Sequence, residues 1–395
     1  MASPYVVGMP DVTAKPASFD DPVWRQQYML EWIGTFRFNK LMGDGGDTPI
    51  HYVSEVKARG EYIKIPLLGA MKKKGVTGNM VLEGREEKAD EHLYNCKIEH
   101  WRNAIGVTEW DERRRPVELL PQLRPLLMNW SKARLRDYII DGLFSTGLHT
   151  TIHAPLRNHD ATQVIAGDPS PTAVQTQATT TQLNAWLTAN TDRIMFGGND
   201  TVPVSNNFVS SVQACTTNSD YPSATNVTKI KDRADLAHKA AYGIEPLSLG
   251  EDDETGYVLL CSLGYYNKLR QDTDIKEFNK SLVAGNGSGS GVKNPYFSSG
   301  DLMWDNVIIK RIPELGEHTD VTNTTDKTYS RAILLGKQAI AMCLGDDVQF
   351  RPLERDYGNS KSVAIRESLG VGKMQRELAN GSKVDFGCVT HVARY

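Results

Sequence analysis

The amino-acid sequence predicts a mixed α+β protein, and three observations support that class. Alternating apolar residues mark strands both early and late in the chain, as in EYIKIPLL at residues 61–68. A long stretch at residues 116–145 carries apolar residues at the helical period. No internal repeat is visible along the sequence.

The composition is that of an ordinary soluble globular chain of 395 residues, 40% of them hydrophobic and 24% charged. No apolar run approaches the roughly 18 residues that span a bilayer, and residues 1–16 lack the pattern of a secretion signal. The five cysteines form no CxxC pair, which favours folding in a reducing cytosol. The formal net charge of −3 argues against a protein that binds nucleic acid tightly through its phosphates.

The first part of the chain predicts an arm, which a helix and a strand follow. Residues 1–48 begin with four spaced prolines, which indicate an extended arm, and continue as a short amphipathic helix that glycines end. The strand that follows puts Ile63, Ile65 and Leu67 on one face and Tyr62 on the other.

The next segment completes a long hairpin. HLYNCKIEHW at residues 92–101 alternates again, and LGAMKKKGVTGNMVLEGREEK at residues 68–88 separates the two strands. A two-stranded ribbon is marginally stable in water, and few apolar residues of this one could form a core of their own. We therefore predict that the ribbon lies against a neighbouring copy of the chain.

The clearest helix is predicted within residues 116–145. Because proline is tolerated only in the first turn, Pro121 and Pro125 predict that the regular part begins near Pro125. The apolar residues that follow the helical period are Leu123, Leu127, Trp130, Leu135, Tyr138, Ile139 and Leu143.

The rest of the chain alternates between strands and short helices. We predict that the strand within residues 330–345 is followed there by a helix of small residues. The other elements are a polar loop and a short helix at 149–190, a strand at 192–198, a helix at 232–246 closed by Gly243, a strand and a helix at 256–272, a strand at 304–315, and closing strands at 363–374 and 382–395.

Motifs of catalysis and cofactor binding are weak in this sequence, and we predict no catalytic site, cofactor or metal. GNGSGSG at residues 285–291 lacks the GxGxxG spacing, so it indicates a surface loop. The acidic GEDDETG at residues 250–256 lacks the alternating ligands of a calcium loop. Three histidines and an aspartate could ligate a metal, but no helix is predicted that would point their side chains the same way: His149, His153, His159 and Asp160.

The charged residues between the two strands of the hairpin are the candidate functional residues. They are Lys72, Lys73, Lys74, Arg85, Glu86 and Glu87. Mixed charge of this kind suits contact with another protein surface, which is the interpretation we favour. A solvated turn and a phosphate-binding patch remain open alternatives.

Several stretches resemble the major capsid proteins of tailed bacteriophages, which share the HK97-like fold, and in particular one family of short-tailed and related phages. The LEG–EE pair with the WRNA downstream, and the late DYGN, carry most of the resemblance. The matching stretches are VLEGREEKADEHLYNCKIEHWRNAIGVTEWDERRR (81–115), DRIMFGG (192–198), GYVLLCSLGYYNKLRQDTDIKEF (256–278), NPYFSSGDLMWDNVIIKRIPEL (294–315), RAILLGKQAIAMCLGDD (331–347) and RDYGNSKSVAIRESLGVGKM (355–374).

The resemblance implies an α+β, HK97-like capsid fold with named parts. They are an N-terminal arm (1–50), an extended loop or E-loop (51–112) that lies across an adjacent subunit, a spine helix and peripheral domain with the polar loop (113–229), an axial domain (230–345) and return strands of the peripheral domain (346–395).

The resemblance also implies a function. Copies of the chain would form hexamers and pentamers of an icosahedral head that encloses double-stranded DNA without sequence-specific binding. A separate scaffold protein, a portal and cement proteins would be partners, with assembly in the bacterial cytoplasm and residence in the virion. Two alternatives stay open: an encapsulin-like compartment of the same fold, and a soluble enzyme with an unrecognised site.

Overall fold

Helices and sheets both contribute to the architecture, as the sequence predicts. The computed structural model describes residues 38–54, 62–68, 75–78, 80–86, 91–114, 120–144, 180–198, 207–238, 243–249, 255–285, 301–313, 315, 318–320, 327–378 and 381–394. The predicted N-terminal arm and the helix after it lie almost entirely outside these residues.

The strands are numbered in chain order. They are β1 (Met42–Gly43), β2 (Ile50–Ser54), β3 (Tyr62–Leu68), β4 (Glu91–Lys97), β5 (Glu99–Thr108), β6 (Ile194–Phe196), β7 (Leu247–Ser248), β8 (Thr255–Cys261), β9 (Leu302–Trp304), β10 (Val307–Arg311), β11 (His318–Asp320), β12 (Lys327–Leu335), β13 (Ile340–Arg355), β14 (Ser360–Lys373), β15 (Gln375–Glu377), β16 (Lys383–Asp385) and β17 (Cys388–Arg394).

The α-helices vary from one turn to seven. They are α1 (Glu109–Arg113), α2 (Leu120–Phe144), α3 (Thr180–Ala189), α4 (Phe208–Gln213), α5 (Ala224–His238), α6 (Leu263–Gln271) and α7 (Thr273–Gly285). Among the described helices, none combines the length and the apolar character needed to cross a membrane.

The described residues fall into two compact units. The first holds residues 38–39, 100–114, 120–132 and 346–368, and the second holds the others. In the first unit, Ser131 donates a buried hydrogen bond of 2.6 Å to Glu367.

An eight-stranded sheet carries the main core of the second unit. Its order is β6-β17-β12-β8-β10-β9, with β11 beside β12 and β7 beside β8. The central strand β8 is buried from residue 256 to residue 261, which explains its continuous apolar sequence GYVLLC. Helices α5 and α6 cover this sheet through buried residues such as Ile230, Tyr265 and Leu269.

A five-stranded sheet has the order β1-β2-β13-β14-β5. Residues 340–344 of β13 pair in parallel with β2 and are buried throughout. The predicted helix of small residues in this segment is therefore wrong. A strand covered on both faces loses its polar–apolar alternation, so periodicity alone does not distinguish it from a buried helix.

Helix α2 corresponds to the predicted long helix but begins earlier. Its start at Leu120 places Pro121 in the first turn and Pro125 inside the helix, whereas the sequence predicts a start near Pro125. Pro125 is exposed and removes one backbone hydrogen bond close to the N-terminus, where the fewest bonds are affected. The predicted apolar face is confirmed at Leu127, Leu135 and Leu143, which are at most 1% exposed.

Candidate assembly surfaces

Strands β3 and β4 form the predicted ribbon, which is the frame of the first candidate surface. They pair antiparallel over their full length, from Tyr62 opposite Lys97 to Leu68 opposite Glu91. The predicted alternation is confirmed, since Ile63, Ile65 and Leu67 are buried and Tyr62 is 51% exposed.

The inward face of this ribbon packs on the chain's own second unit. Ile63, Ile65 and Leu67 share one apolar cluster with Ala341 and Cys343 of β13. The expectation that the strands of the ribbon depend on a neighbouring copy for an apolar surface is therefore wrong. The small residues of β13 form that surface, and they are distant in sequence from the ribbon.

Two glycines of β14 allow the ribbon to approach this closely. A Cβ atom at Gly370 would overlap the carbonyl oxygen of Lys97, and one at Gly372 would overlap the hydroxyl of Tyr94. Any larger residue would force β4 away from β14. The base of the ribbon is thus fixed by close backbone packing as well as by apolar burial.

The described part of the tip, residues 75–78 and 80–86, exposes three consecutive apolar side chains. Met80 is 54% exposed, Val81 66% and Leu82 55%. Gly75 and Gly84, with φ of 74° and 78°, take left-handed backbone conformations that glycine adopts without strain. Adjacent exposed apolar side chains of this size are typical of a surface that another molecule covers.

The charged candidates fall partly on this tip. Arg85 and Glu86 are exposed beside the apolar triplet, and the Arg85 N–H donates to the Leu82 carbonyl at 3.0 Å in a turn. A Glu86 carboxylate oxygen accepts from the Gly84 N–H at 3.3 Å. The other four candidates lie outside the described residues: Lys72, Lys73, Lys74 and Glu87.

Sequence reasoning missed Met80, Val81 and Leu82, although a signal was available. Three large apolar residues in succession are unusual in a segment that is rich in glycine and charged residues. The charges form the more conspicuous pattern in this segment, although Met80, Val81 and Leu82 carry exposed apolar area that a contact would bury.

A second candidate surface lies where β13 and β14 meet, in the first unit. Tyr357 is fully exposed with a φ of 50°, and its neighbours Asp356 and Gly358 also have positive φ. For a bulky residue such as tyrosine, this left-handed conformation costs roughly 1–2 kcal/mol. The turn therefore holds an aromatic ring in solvent at the expense of backbone strain.

Trp110 of α1 lies at the same end of the first unit. The N–H of Glu109 donates to the carbonyl of Asn359 at 2.7 Å, which ties the start of α1 to the turn around Tyr357. Trp110 is 64% exposed, and the Arg114 guanidinium lies 5.7 Å from its ring centroid. An exposed tryptophan beside an arginine, at the same end as an exposed tyrosine, is a composition that protein interfaces favour.

Groups suited to chemistry are few in the part of the chain that the structure describes. No set of three or more His, Cys, Asp or Glu side chains there could hold a metal ion. An open cleft in the second unit is lined by Asn267, Arg270, Gln271 and Lys276. The candidate metal ligands (His149, His153, His159 and Asp160), the glycine-rich loop beyond Gly285 and residues 250–254 of the acidic turn lie outside the described residues.

The buried ion pair of the second unit joins elements of the fold. Lys373 lies 2.5 Å from Asp385, with 1% and 2% of the two side chains exposed. Burial lowers the pKa of Lys373, but the Asp385 carboxylate outweighs that effect and leaves the pKa above its ordinary value. Because Trp186 of α3 also donates to Asp385, at 3.2 Å, this carboxylate connects α3 with β14 and β16.

Comparisons with known proteins indicate the family to which the chain belongs. The sequence matches the family described as "Phage capsid protein" over residues 20–393. A search of curated proteins finds no match. These findings favour neither the encapsulin-like compartment nor the soluble enzyme.

Three solved capsid structures show the same fold, which confirms the predicted α+β class. The capsid of Ralstonia phage GP4 is 19% identical, with a TM-score of 0.67, and covers 100% of this chain and 98% of its own. The cyanophage Pam1 capsid is also 19% identical, with a TM-score of 0.67 and coverage of 90% and 91%. The capsid of Helicobacter pylori bacteriophage KHP30 is 12% identical, with a TM-score of 0.58 and coverage of 91% and 92%.

The family match covers nearly the whole chain, and the three capsid structures share its fold over at least 90% of it. This protein therefore belongs to the phage capsid protein family and is a structural major capsid protein of the virion.

Proposed function

We propose that copies of this chain assemble as hexamers and pentamers into an icosahedral head that encloses double-stranded DNA. The observation that carries the proposal is the exposed triplet Met80, Val81 and Leu82, at the end of a ribbon whose base is buried on its own chain. The base is already buried on its own chain, whereas the apolar triplet gives the tip an area to bury on another subunit.

The extended loop at residues 51–112 then has a base that packs on its own chain and a tip that contacts another subunit. Strands of seven residues extend about 23 Å at 3.3 Å per residue, so the tip can reach beyond the surface on which the base packs.

We assign the N-terminal arm to 1–50, the spine helix and peripheral domain to 113–229, the axial domain to 230–345 and the return strands to 346–395.

The charged residues of the tip would set the position of the contact rather than its strength. Lys72, Lys73 and Lys74 form a basic run, and Arg85 is followed by the acidic pair Glu86 and Glu87, so a neighbour with both charges would match them in one register only. Charge pairs exposed to solvent contribute little free energy. The apolar triplet therefore supplies most of the affinity, and repetition around a closed shell multiplies it.

The net charge is consistent with a container for DNA. At −3, the chain has no excess of cations with which to neutralise phosphates, as suits a wall that encloses DNA without attracting it strongly. We infer that the chain carries no catalytic activity. We also infer that a separate scaffold protein guides assembly in the host cytoplasm, and that a portal and cement proteins complete the shell.

Replacement of the triplet by serine tests the proposal. The variant Met80→Ser/Val81→Ser/Leu82→Ser removes the apolar area of the tip and leaves the buried base intact. We expect an unchanged circular dichroism spectrum and melting temperature but no closed shells, as measured by size-exclusion chromatography and electron microscopy.

A matched control uses an apolar residue of equal exposure in another element. Leu236 of α5 is 65% exposed, and Leu236→Ser should leave the yield of shells unchanged. Closed shells of normal yield from the triple variant would refute the assignment of this tip as an inter-subunit contact.

A further inference from the structure

Two of the five cysteines face each other across the base of the ribbon. Cys96 lies on β4 and Cys343 on β13, and their exposed fractions are 2% and 0%. Both belong to the apolar cluster that joins the ribbon to the second unit, and both are free thiols. The Cys96 side chain lies within hydrogen-bonding reach of the Cys343 thiol.

The backbone of β14 contributes to this placement. The Sγ atom of Cys96 lies 3.1 Å from the point that a Cβ atom at Gly370 would occupy. Because Gly370 has no side chain, the Cys96 thiol fits between β14 and β13. The glycine that lets the ribbon approach therefore also brings the two thiols together.

The other three cysteines contact different groups. Cys215 donates to the carbonyl of Ser211 at 3.6 Å, and Cys261 to the carbonyl of Lys310 at 3.5 Å. Cys388 lies beside Lys373. Because all five cysteines are described, Cys96 and Cys343 are the pair that can be oxidised together with the least rearrangement.

We propose that Cys96 and Cys343 form a latent disulfide site, which a small-molecule disulfide such as oxidised glutathione closes once the chain leaves a reducing compartment. The proposal rests on the packing of the ribbon base alone, so it stands or falls independently of how the tip contributes to assembly.

The reaction consists of two exchange steps. The Cys96 thiolate attacks one sulfur of the oxidant, forms a mixed disulfide and releases one thiolate of the oxidant. The Cys343 thiolate then attacks the Cys96 sulfur and displaces the second thiolate of the oxidant. Two protein thiols are oxidised, one small-molecule disulfide is reduced to two thiols, and the two protons from the protein pass to the released thiolates.

The environment of the pair explains why it stays reduced until an oxidant enters. The hydrogen bond to Cys343, together with burial, raises the pKa of Cys96, so little thiolate is present at neutral pH. Oxidation therefore requires a local opening of the ribbon base, and its rate should increase with pH. The disulfide then links β4 to β13 and holds the ribbon on its own chain.

Peptide mapping under non-reducing conditions tests the proposal on the full chain. The protein is incubated with oxidised glutathione at about pH 8.5, near the ordinary pKa of a thiol. We expect a linked pair of peptides that contain Cys96 and Cys343, with a mass two hydrogen atoms below their sum. We also expect amide exchange of β3 and β4 to slow by about tenfold after oxidation, because local opening is restrained.

Two serine variants complete the test. Cys343→Ser should abolish the linked peptides and leave amide exchange insensitive to oxidised glutathione. Cys215→Ser alters a buried cysteine whose thiol donates to the Ser211 carbonyl, and it should leave both results as in the wild type. Recovery of Cys96 and Cys343 from the wild type as free thiols, as glutathione adducts or as links between chains would overturn the proposal.

Discussion

At the scale of single residues, His391 shows how burial fixes a protonation state. Its ring lies between the Tyr265 hydroxyl, 2.7 Å from Nδ1, and the Gly197 carbonyl, 2.9 Å from Nε2. A carbonyl oxygen only accepts, so Nε2 donates to Gly197 and Nδ1 of the neutral ring accepts from Tyr265. Complete burial lowers the pKa of His391 to about 4; Arg233 adds to this effect, whereas the Gly197 carbonyl and Asp220 oppose it.

This shift predicts how stability depends on pH. Above about pH 6.5 the ring is neutral in both states, and as the pH falls toward about 4 only the unfolded chain takes up the proton. The free energy of unfolding should then fall by about 3 kcal/mol across that window from this residue alone. Urea denaturation at several pH values measures it, and His391→Gln should show a shallower slope. Equal slopes for the two proteins would contradict the assignment.

Tyr357 gives a prediction in which stability and assembly change in opposite directions. Tyr357→Gly relieves the left-handed strain and should raise the free energy of unfolding by about 1 kcal/mol. The same change removes a fully exposed ring, so we expect fewer closed shells. Urea denaturation and electron microscopy measure the two effects.

The conservative variant Tyr357→Phe separates the ring from the backbone. It keeps the strain and the aromatic surface, so stability should stay as in the wild type. A loss of stability in Tyr357→Gly would show that the ring contributes to the fold of the subunit and not to contacts between subunits.

At the scale of elements, the ribbon and β14 depend on each other through Gly370. Gly370→Val would place side-chain atoms against the Lys97 carbonyl and should cost about 1–3 kcal/mol through overpacking. Amide exchange of β3 and β4 should quicken more than exchange of α5. Hydrogen–deuterium exchange with mass spectrometry measures the difference.

The control for Gly370 is a glycine with space around it. A Cβ atom at Gly45 would meet only the Asp47 nitrogen, at 3.9 Å, so Gly45→Ala should be close to neutral. Uniform quickening throughout the chain in Gly370→Val would indicate general destabilisation rather than release of the ribbon.

The elements also show what the sequence could and could not predict. Ile63, Ile65 and Leu67 follow a period of two, which identified the ribbon strand because one of its faces is solvated. Residues 340–344 have no solvated face, so they show no alternation of polar and apolar residues that would distinguish a strand from a helix. The predicted helix at this place is therefore wrong. The surface beneath the ribbon could not be predicted either, since Ala341 and Cys343 lie far from the ribbon in sequence and are unremarkable by type.

At the scale of the whole molecule, charge on the tip can be separated from charge on the rest of the subunit. Reversal of Lys72, Lys73 and Lys74 to Glu changes the formal net charge from −3 to −9, because each swap removes one positive and adds one negative charge. We expect the yield of closed shells to fall, whereas the melting temperature of the monomer should change little. The loss should diminish at high salt, since the Debye length shrinks to about 3 Å at 1 M.

A variant with the same net charge serves as the control. Lys276, Lys280 and Lys361 are exposed in the described part of the chain, and their reversal to Glu gives the same value of −9. If both triple variants lose shells equally, general repulsion is responsible. If the tip variant forms normal shells at every salt concentration, the lysines have no part in the contact.

The place of β17 in the main sheet has a consequence for synthesis. This strand (Cys388–Arg394) lies between β6 and β12, so β6 cannot join the sheet, and one edge of β12 stays unpaired, until it arrives. A nascent polypeptide cannot close that sheet before residue 394 has left the ribosome. Translation itself therefore delays the folding of each monomer's main sheet, and nascent chains that lack β17 are kept out of growing particles.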